Sequence, residues 1–106
     1  MAQFDVHRNL GKSQAQFPLL VIVQSGLLRG WHRRIVVPLA RADRFDAPPD
    51  PQLNPVIEID GVAYVVAAHE IANVPLSSLG PVVADLRDRA STVIGAIDWA
   101  LGQGFG

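Results

Sequence analysis

Val56-Ile57-Glu58-Ile59-Asp60-Gly61-Val62-Ala63-Tyr64-Val65-Val66 decides the fold class. Two β-branched runs flank an Asp-Gly pair, and Asp-Gly readily takes the positive φ values that a tight hairpin turn demands. The segment therefore predicts two antiparallel strands joined by two residues, and it sets a period of two against which the rest of the chain can be read.

Upstream, the same period recurs. Gln3-Phe4-Asp5-Val6-His7 alternates, placing Phe4 and Val6 on one face of a first strand and Asp5 and His7 on the other. Asn9 to Gln16 is polar and contains Gly11, so it reads as a loop before Leu19-Leu20-Val21-Ile22-Val23, a continuous apolar run suited to a central strand covered on both faces. Gly26 and Gly30 bracket a turn, and Arg33-Arg34-Ile35-Val36-Val37 resumes as a third strand expected to stop at Pro38. Ala40 to Pro55 carries four prolines and no hydrophobic period, which predicts a stiffened connection and a candidate contact surface.

Downstream, Ile71 to Pro75 offers one more short strand, and Ser77-Ser78-Leu79-Gly80 reads as a turn or a single 3₁₀ turn. From Asp85 the period changes: Ala90, Val93, Ile94, Ile97, Ala100 and Leu101 recur at three and four, which predicts a one-faced helix stopped by Gly102. Several strands closed by one terminal helix predict a mainly β domain, a small barrel or strongly curved sheet whose open face the helix covers.

The chain has 106 residues with no internal break in composition, so a single domain over 1–106 is expected. It is 49% hydrophobic and only 18% charged, more apolar surface than so small a globule can hide, and a homodimer is the simplest cover for the remainder. A net charge of -1 and a pI near 6.2 lack the basic footprint of a nucleic-acid groove, so no direct nucleic-acid binding is expected. With no cysteine there is no disulfide, thiol nucleophile or Cys-ligated zinc. The opening Met1-Ala2-Gln3-Phe4 lacks a signal-peptide pattern and the longest apolar run, Phe17 to Val23, is too short to span a bilayer, so a cytoplasmic protein without a membrane partner is expected.

Chemistry-bearing motifs are sparse. His7, His32 and His69 show no helical metal-ligand spacing, and the position four after His69 is Asn73, so no metal and no cofactor are expected. Ser25 and His69 could be composed with an acid into a triad, but no elbow motif surrounds the serine. Arg29, Trp31, His32, Arg33 and Arg34 interleave basic and aromatic residues as a single-strand binder would, although an edge-strand charge block on a solvated turn has the same composition. The expected mode of action is a grip on another protein, with no catalytic residues.

Several segments resemble, in order, the CcdB toxins of toxin–antitoxin modules: Gln3-Phe4, Val23-Gln24-Ser25-Gly26-Leu27-Leu28, Arg33-Arg34-Ile35-Val36-Val37-Pro38-Leu39-Ala40, Asn54-Pro55-Val56, Val74-Pro75, Val83-Ala84-Asp85-Leu86 and Ala96-Ile97-Asp98. The resemblance runs nearly end to end. It implies a small SH3-like barrel of antiparallel strands with one C-terminal α-helix, and a homodimer that binds the A subunit of DNA gyrase, traps that enzyme on cleaved DNA without being an enzyme itself, and is neutralised by a partly disordered CcdA-like antitoxin.

The resemblance also implies site residues. Gyrase binding falls to Leu27, Leu28, Asp98, Trp99, Gly102, Gly104 and Phe105, and antitoxin binding to the loop after the first strand, with Arg8, Asn9, Lys12 and Ser13. An ungapped alignment sets Gly102-Gln103-Gly104 against the Trp-Gly-Ile ending of the best-known member, whereas one inserted residue sets Gly104-Phe105 against its terminal Gly-Ile. Two other readings stay open. One is a messenger-RNA endoribonuclease of the related barrel superfamily, motivated by Arg29 to Arg34 and His69; the other is a diverged, non-poisoning dimer, motivated by Gly26 and the altered tail.

Overall fold

A computed structural model describes residues 2–28, 30–45 and 50–103, with no side-chain description at Leu28 and Gln103. Seven strands form one antiparallel sheet: β1 (Asp5–Asn9), β2 (Leu19–Ile22), β3 (Arg33–Arg41), β4 (Val56–Ile59), β5 (Val62–Val66), β6 (Ala72–Pro75) and β7 (Leu79–Asp85). The order is β4-β5-β3-β2-β1-β7, with β6 pairing β3 beside β5. The sheet curls into a half-barrel, and the only α-helix among the described residues, α1 (Ala90–Asp98), closes one face.

The Asp-Gly hairpin forms as expected. Val56 pairs with Val65 and Ile59 with Val62, and the turn takes φ values of 51° at Asp60 and 79° at Gly61. β2 is buried along its whole length between β1 and β3, so the unbroken apolar run is central. Val6, Val21, Val37, Leu39, Ile57, Val66 and Val93 make the main core between sheet and helix, while Leu20, Ile22, Val36 and Leu79 make a second cluster on the opposite face.

Three boundaries differ from the sequence expectation. Phe4 does not begin β1; its φ of 70° turns the chain there, its N–H donates to the Ile22 carbonyl at 2.6 Å, and its ring packs on the core. β3 does not stop at Pro38 but runs on to Arg41. In a strand the N and O of one residue face the same neighbour, and the Pro38 carbonyl accepts from Ala67 N on the side where β3 changes partner from β6 to β5. The missing donor of Pro38 thus faces a gap in the ladder and costs no strand–strand bond. The turn expected over Ser77-Ser78-Leu79-Gly80 is a 3₁₀ turn at Leu76–Ser78, and β7 starts directly after it, at Leu79. That strand pairs only with β1, and a proline is tolerated on such an edge, where Pro81 sits.

The helix is also shorter and less one-faced than its period suggests. A 3₁₀ turn at Arg87–Arg89 leads into α1, and a π-helical turn at Trp99–Gln103 ends it. Val93 and Ala96 are buried, Ala90, Ile97 and Ala100 are half-buried, and Ile94 and Leu101 stand exposed at 37% and 68%. The apolar periodicity therefore resolves into two stripes, one facing the sheet and one facing out.

Candidate functional site

The outward stripe is Ile94, Asp98 and Leu101, spaced by four and three, so it lies along one line of the helix. Beside it Gly95, Trp99 and Gly102 lie along the next line, and a Cβ added at either glycine would meet nothing within 4 Å. The helix surface between the two lines is therefore low, apolar and open, with the Asp98 carboxylate as its charged group. Trp99, at 37% exposure, lines a shallow cavity of about 310 Å³ together with Pro51, Pro55, Ser91 and Thr92. Leu101 lies within the π-helical turn Trp99–Gln103 and is 68% exposed, whereas Val93 is buried and Ile97 half-buried.

Leu27 is the most exposed large apolar residue described, at 93%. It sits in a 3₁₀ turn at Gly26–Leu28 whose start is fixed by the Ser25 hydroxyl accepting from Leu27 N at 3.2 Å. The backbone of Leu28 shares that turn, but its side chain lies outside the description, as do Gly104 and Phe105 altogether. The structure thus places Leu27, Asp98, Trp99 and Gly102 at the surface.

The loop after β1 is built differently from what its polarity suggests. Asn9 is buried: its amide donates to Phe17 O at 2.8 Å and to Ser13 Oγ at 3.0 Å, and its Oδ1 accepts from Gly11 N at 2.8 Å. It shapes the loop and has no surface to offer. Arg8, Lys12 and Ser13 are exposed, and Lys12 and Ser13 rim a groove of about 280 Å³ floored by Leu20, Val36 and Pro38, with Glu70 on its far side.

Among the described residues no hydrogen bond joins Ser25 to His69, and Arg29 of the basic cluster lies outside the description. The Ser25 hydroxyl is engaged with Leu27 N, whereas His69 Nδ1 lies 3.3 Å from the amide of buried Asn54. Among the described residues no group of three His, Asp or Glu side chains could hold a metal ion. His7, expected on the more polar face of β1, is 2% exposed and belongs to the second packed face. Arg34 is buried as well, so it is no part of a solvated charge block; its Nη1 donates to Trp31 O at 2.5 Å and to Arg33 O at 2.9 Å.

Electrostatically, the entry to α1 is held by Arg87. Its guanidinium bridges Asp85 at 2.5 Å and Asp5 at 3.3 Å, and its N–H donates to Asp85 Oδ1 at 2.8 Å. These bonds hold the Asp85 carboxyl below its usual range, with the Arg87 backbone N–H the largest cause, and raise the Arg87 guanidinium. Asp50 is likewise lowered, by N–H bonds from Leu53 and Gln52.

Comparison with known proteins adds two findings. A family model described as CcdB protein matches residues 3–103, nearly the whole chain. Two solved structures share the fold. An endoribonuclease in complex with its cognate antitoxin, from Mycobacterial species, has a TM-score of 0.75 at 17% identity and covers 100% of this chain and 99% of that one. An endoribonuclease from Mycobacterial species has a TM-score of 0.71 at 16% identity, covering 100% of this chain and 95% of that one. The second finding corrects an expectation. Grip without catalysis does not follow from this architecture, since chains named endoribonucleases share it over 99% and 95% of their length. No helix among the described residues is long and apolar enough to cross a membrane.

Proposed function

The chain belongs to the CcdB protein family, and on that premise we propose that it is the toxin of a toxin–antitoxin module, acting on the A subunit of DNA gyrase through the outer end of α1. The observation that carries this reading is the unpartnered surface of that helix. Ile94, Trp99 and Leu101 are exposed around glycines and one carboxylate, with no element among the described residues covering them. Buried apolar anchors ringed by polar groups are what hold protein interfaces together, and a helix end offers them without refolding. Leu27 is a second apolar contact of the same surface chemistry. Gly104 and Phe105 extend the grip beyond the described helix.

The active form is a homodimer, which accounts for the remaining apolar surface, and the gyrase–DNA complex is trapped in its cleaved state. A CcdA-like antitoxin, partly disordered when free, docks on the loop after β1, with Lys12 and Ser13 at the rim of the groove. A purified gyrase A fragment should bind the protein, and either Leu101→Asp or deletion of Gly104 to Gly106 should abolish binding. Undiminished binding by both variants overturns the assigned surface.

A second reading, cleavage of messenger RNA, is favoured by the fold shared with two chains named endoribonucleases. Incubation of pure protein with mixed RNA tests it directly: fragments lost in Arg33→Ala support it, and RNA left intact ends it.

A further inference from the structure

Trp31 is 67% exposed, which is unusual for the largest and costliest apolar side chain to leave in water, and it does not hang on a loose loop. Three tethers hold Trp31, His32 and Arg33 in place. Buried Arg34 donates to the Trp31 carbonyl at 2.5 Å, Leu76 N donates to the His32 carbonyl at 3.3 Å, and Arg33 Nη2 donates to the Asn73 carbonyl at 2.7 Å. Beneath them lies an open cavity of about 330 Å³ whose described lining is Gln24, Trp31, His32, Arg33, Ile35 and Asn73. Its walls are an indole and an isoleucine, its cation is a guanidinium, its remaining polar groups are amides and an imidazole, and none of the six is acidic.

From this arrangement we infer that the cavity takes a single unstacked nucleotide of a nucleic-acid strand. An indole face and an apolar floor receive a base by stacking, which any base can satisfy. Arg33, held by Asn73 with its guanidinium at the rim, neutralises the adjoining phosphate. Asn73 and the buried Gln24, whose Oε1 accepts from Ile35 N at 3.1 Å, complete the polar lining. Burial of Arg34 directly behind the platform adds a second positive charge to this side of a chain whose net charge is only -1. A protein partner would need a wider apolar patch, whereas a lone ring over a cavity at the small end of ligand pockets suits one base. The inference does not depend on the gyrase reading, because none of its residues lies on α1 or the Gly26–Leu28 turn.

The test uses fluorescence anisotropy of short, unstructured, end-labelled RNA and DNA strands of one sequence, titrated with the full-length protein at low and moderate salt. Binding should appear at low salt and weaken with salt. Trp31→Ala should weaken it at least about tenfold while Trp31→Phe, which keeps a stacking face, holds most of it. Arg33→Ala should weaken binding to the RNA and the DNA strand alike and reduce the salt slope by about one phosphate contact. Tighter binding to RNA assigns the strand as RNA, the reverse assigns single-stranded DNA, and equal binding assigns the shared base-and-phosphate chemistry alone. The side chain of Trp31 is mostly exposed, so both variants should keep the parent's circular dichroism. Absence of binding to either strand, or Trp31→Ala binding as well as the parent, overturns the inference.

Discussion

His7 Nδ1 lies 2.7 Å from the Gly80 carbonyl, linking β1 to the edge strand β7, while its Nε2 is buried with no partner among the described residues. A carbonyl only accepts, so Nδ1 carries the proton and Nε2 is left as an unmet acceptor. The buried ring also fills volume beside Leu20 and Val82, its register partners on β2 and β7. His7→Leu keeps that volume and removes the unmet acceptor, so urea denaturation should place it within about 1 kcal/mol of the parent. His7→Ala should cost about 2–4 kcal/mol through the cavity it leaves. Equal losses in both would show that the Gly80 bond is what matters.

The hairpin turn makes a position-specific demand. Gly61 holds φ of 79°, where a Cβ is opposed by the backbone even though nothing lies within 4 Å to block it. Gly61→Ala should lower stability by about 1–2 kcal/mol, and Asp60→Asn, whose side chain tolerates the same region, should leave the melting temperature unchanged.

Asn54 closes the long connection onto the hairpin. Its amide donates to Val66 O at 3.2 Å inside the protein, and the backbone N–H of Asn54 donates to Asp50 O at 2.7 Å. Asn54→Ala leaves a buried carbonyl unpaired and should cost about 1–3 kcal/mol, read as a lower urea midpoint with an unchanged slope.

Acid should loosen the molecule at two surface turns. Asp85 and Asp50 have folded-state values below their ordinary one, so their contribution is present above the unfolded carboxylate value of about 3.9 and is lost as pH falls below it through the folded value. Melting temperature should therefore hold from neutrality to about pH 5 and decline below about pH 4, and the decline should be shallower in Asp85→Asn. Both carboxylates are exposed, so the difference is small and shrinks further with added salt. A variant that declines as steeply as the parent would remove Asp85 from the account.

Sequence periodicity read the hairpin, the buried β2 and the presence of the terminal helix because each is a local property of side-chain pattern. The elements it missed depend on what lies alongside. Pro38 is harmless in β3 only because β5 and β6 meet opposite it, and Gly80-Pro81 forms a strand only because β7 has one neighbour. Ile94 and Leu101 count as apolar positions in any helical pattern, and nothing in the pattern tells that they look outward. The same gap applies to the site. Resemblance supplied Leu27, Asp98 and Trp99, whereas the tethers that fix Trp31 join residues as distant in sequence as Arg33 and Asn73.

Capture of gyrase by the outer end of α1, as proposed, can be read in a DNA cleavage assay. Supercoiled plasmid is incubated with gyrase and the protein, then treated with detergent and protease to reveal trapped breaks. Linear DNA is expected with the parent protein and none with Leu101→Asp, whose fold should be intact because Leu101 is 68% exposed. Plasmid left uncut by the parent, or linear DNA at equal yield with Leu101→Asp, would contradict the proposal.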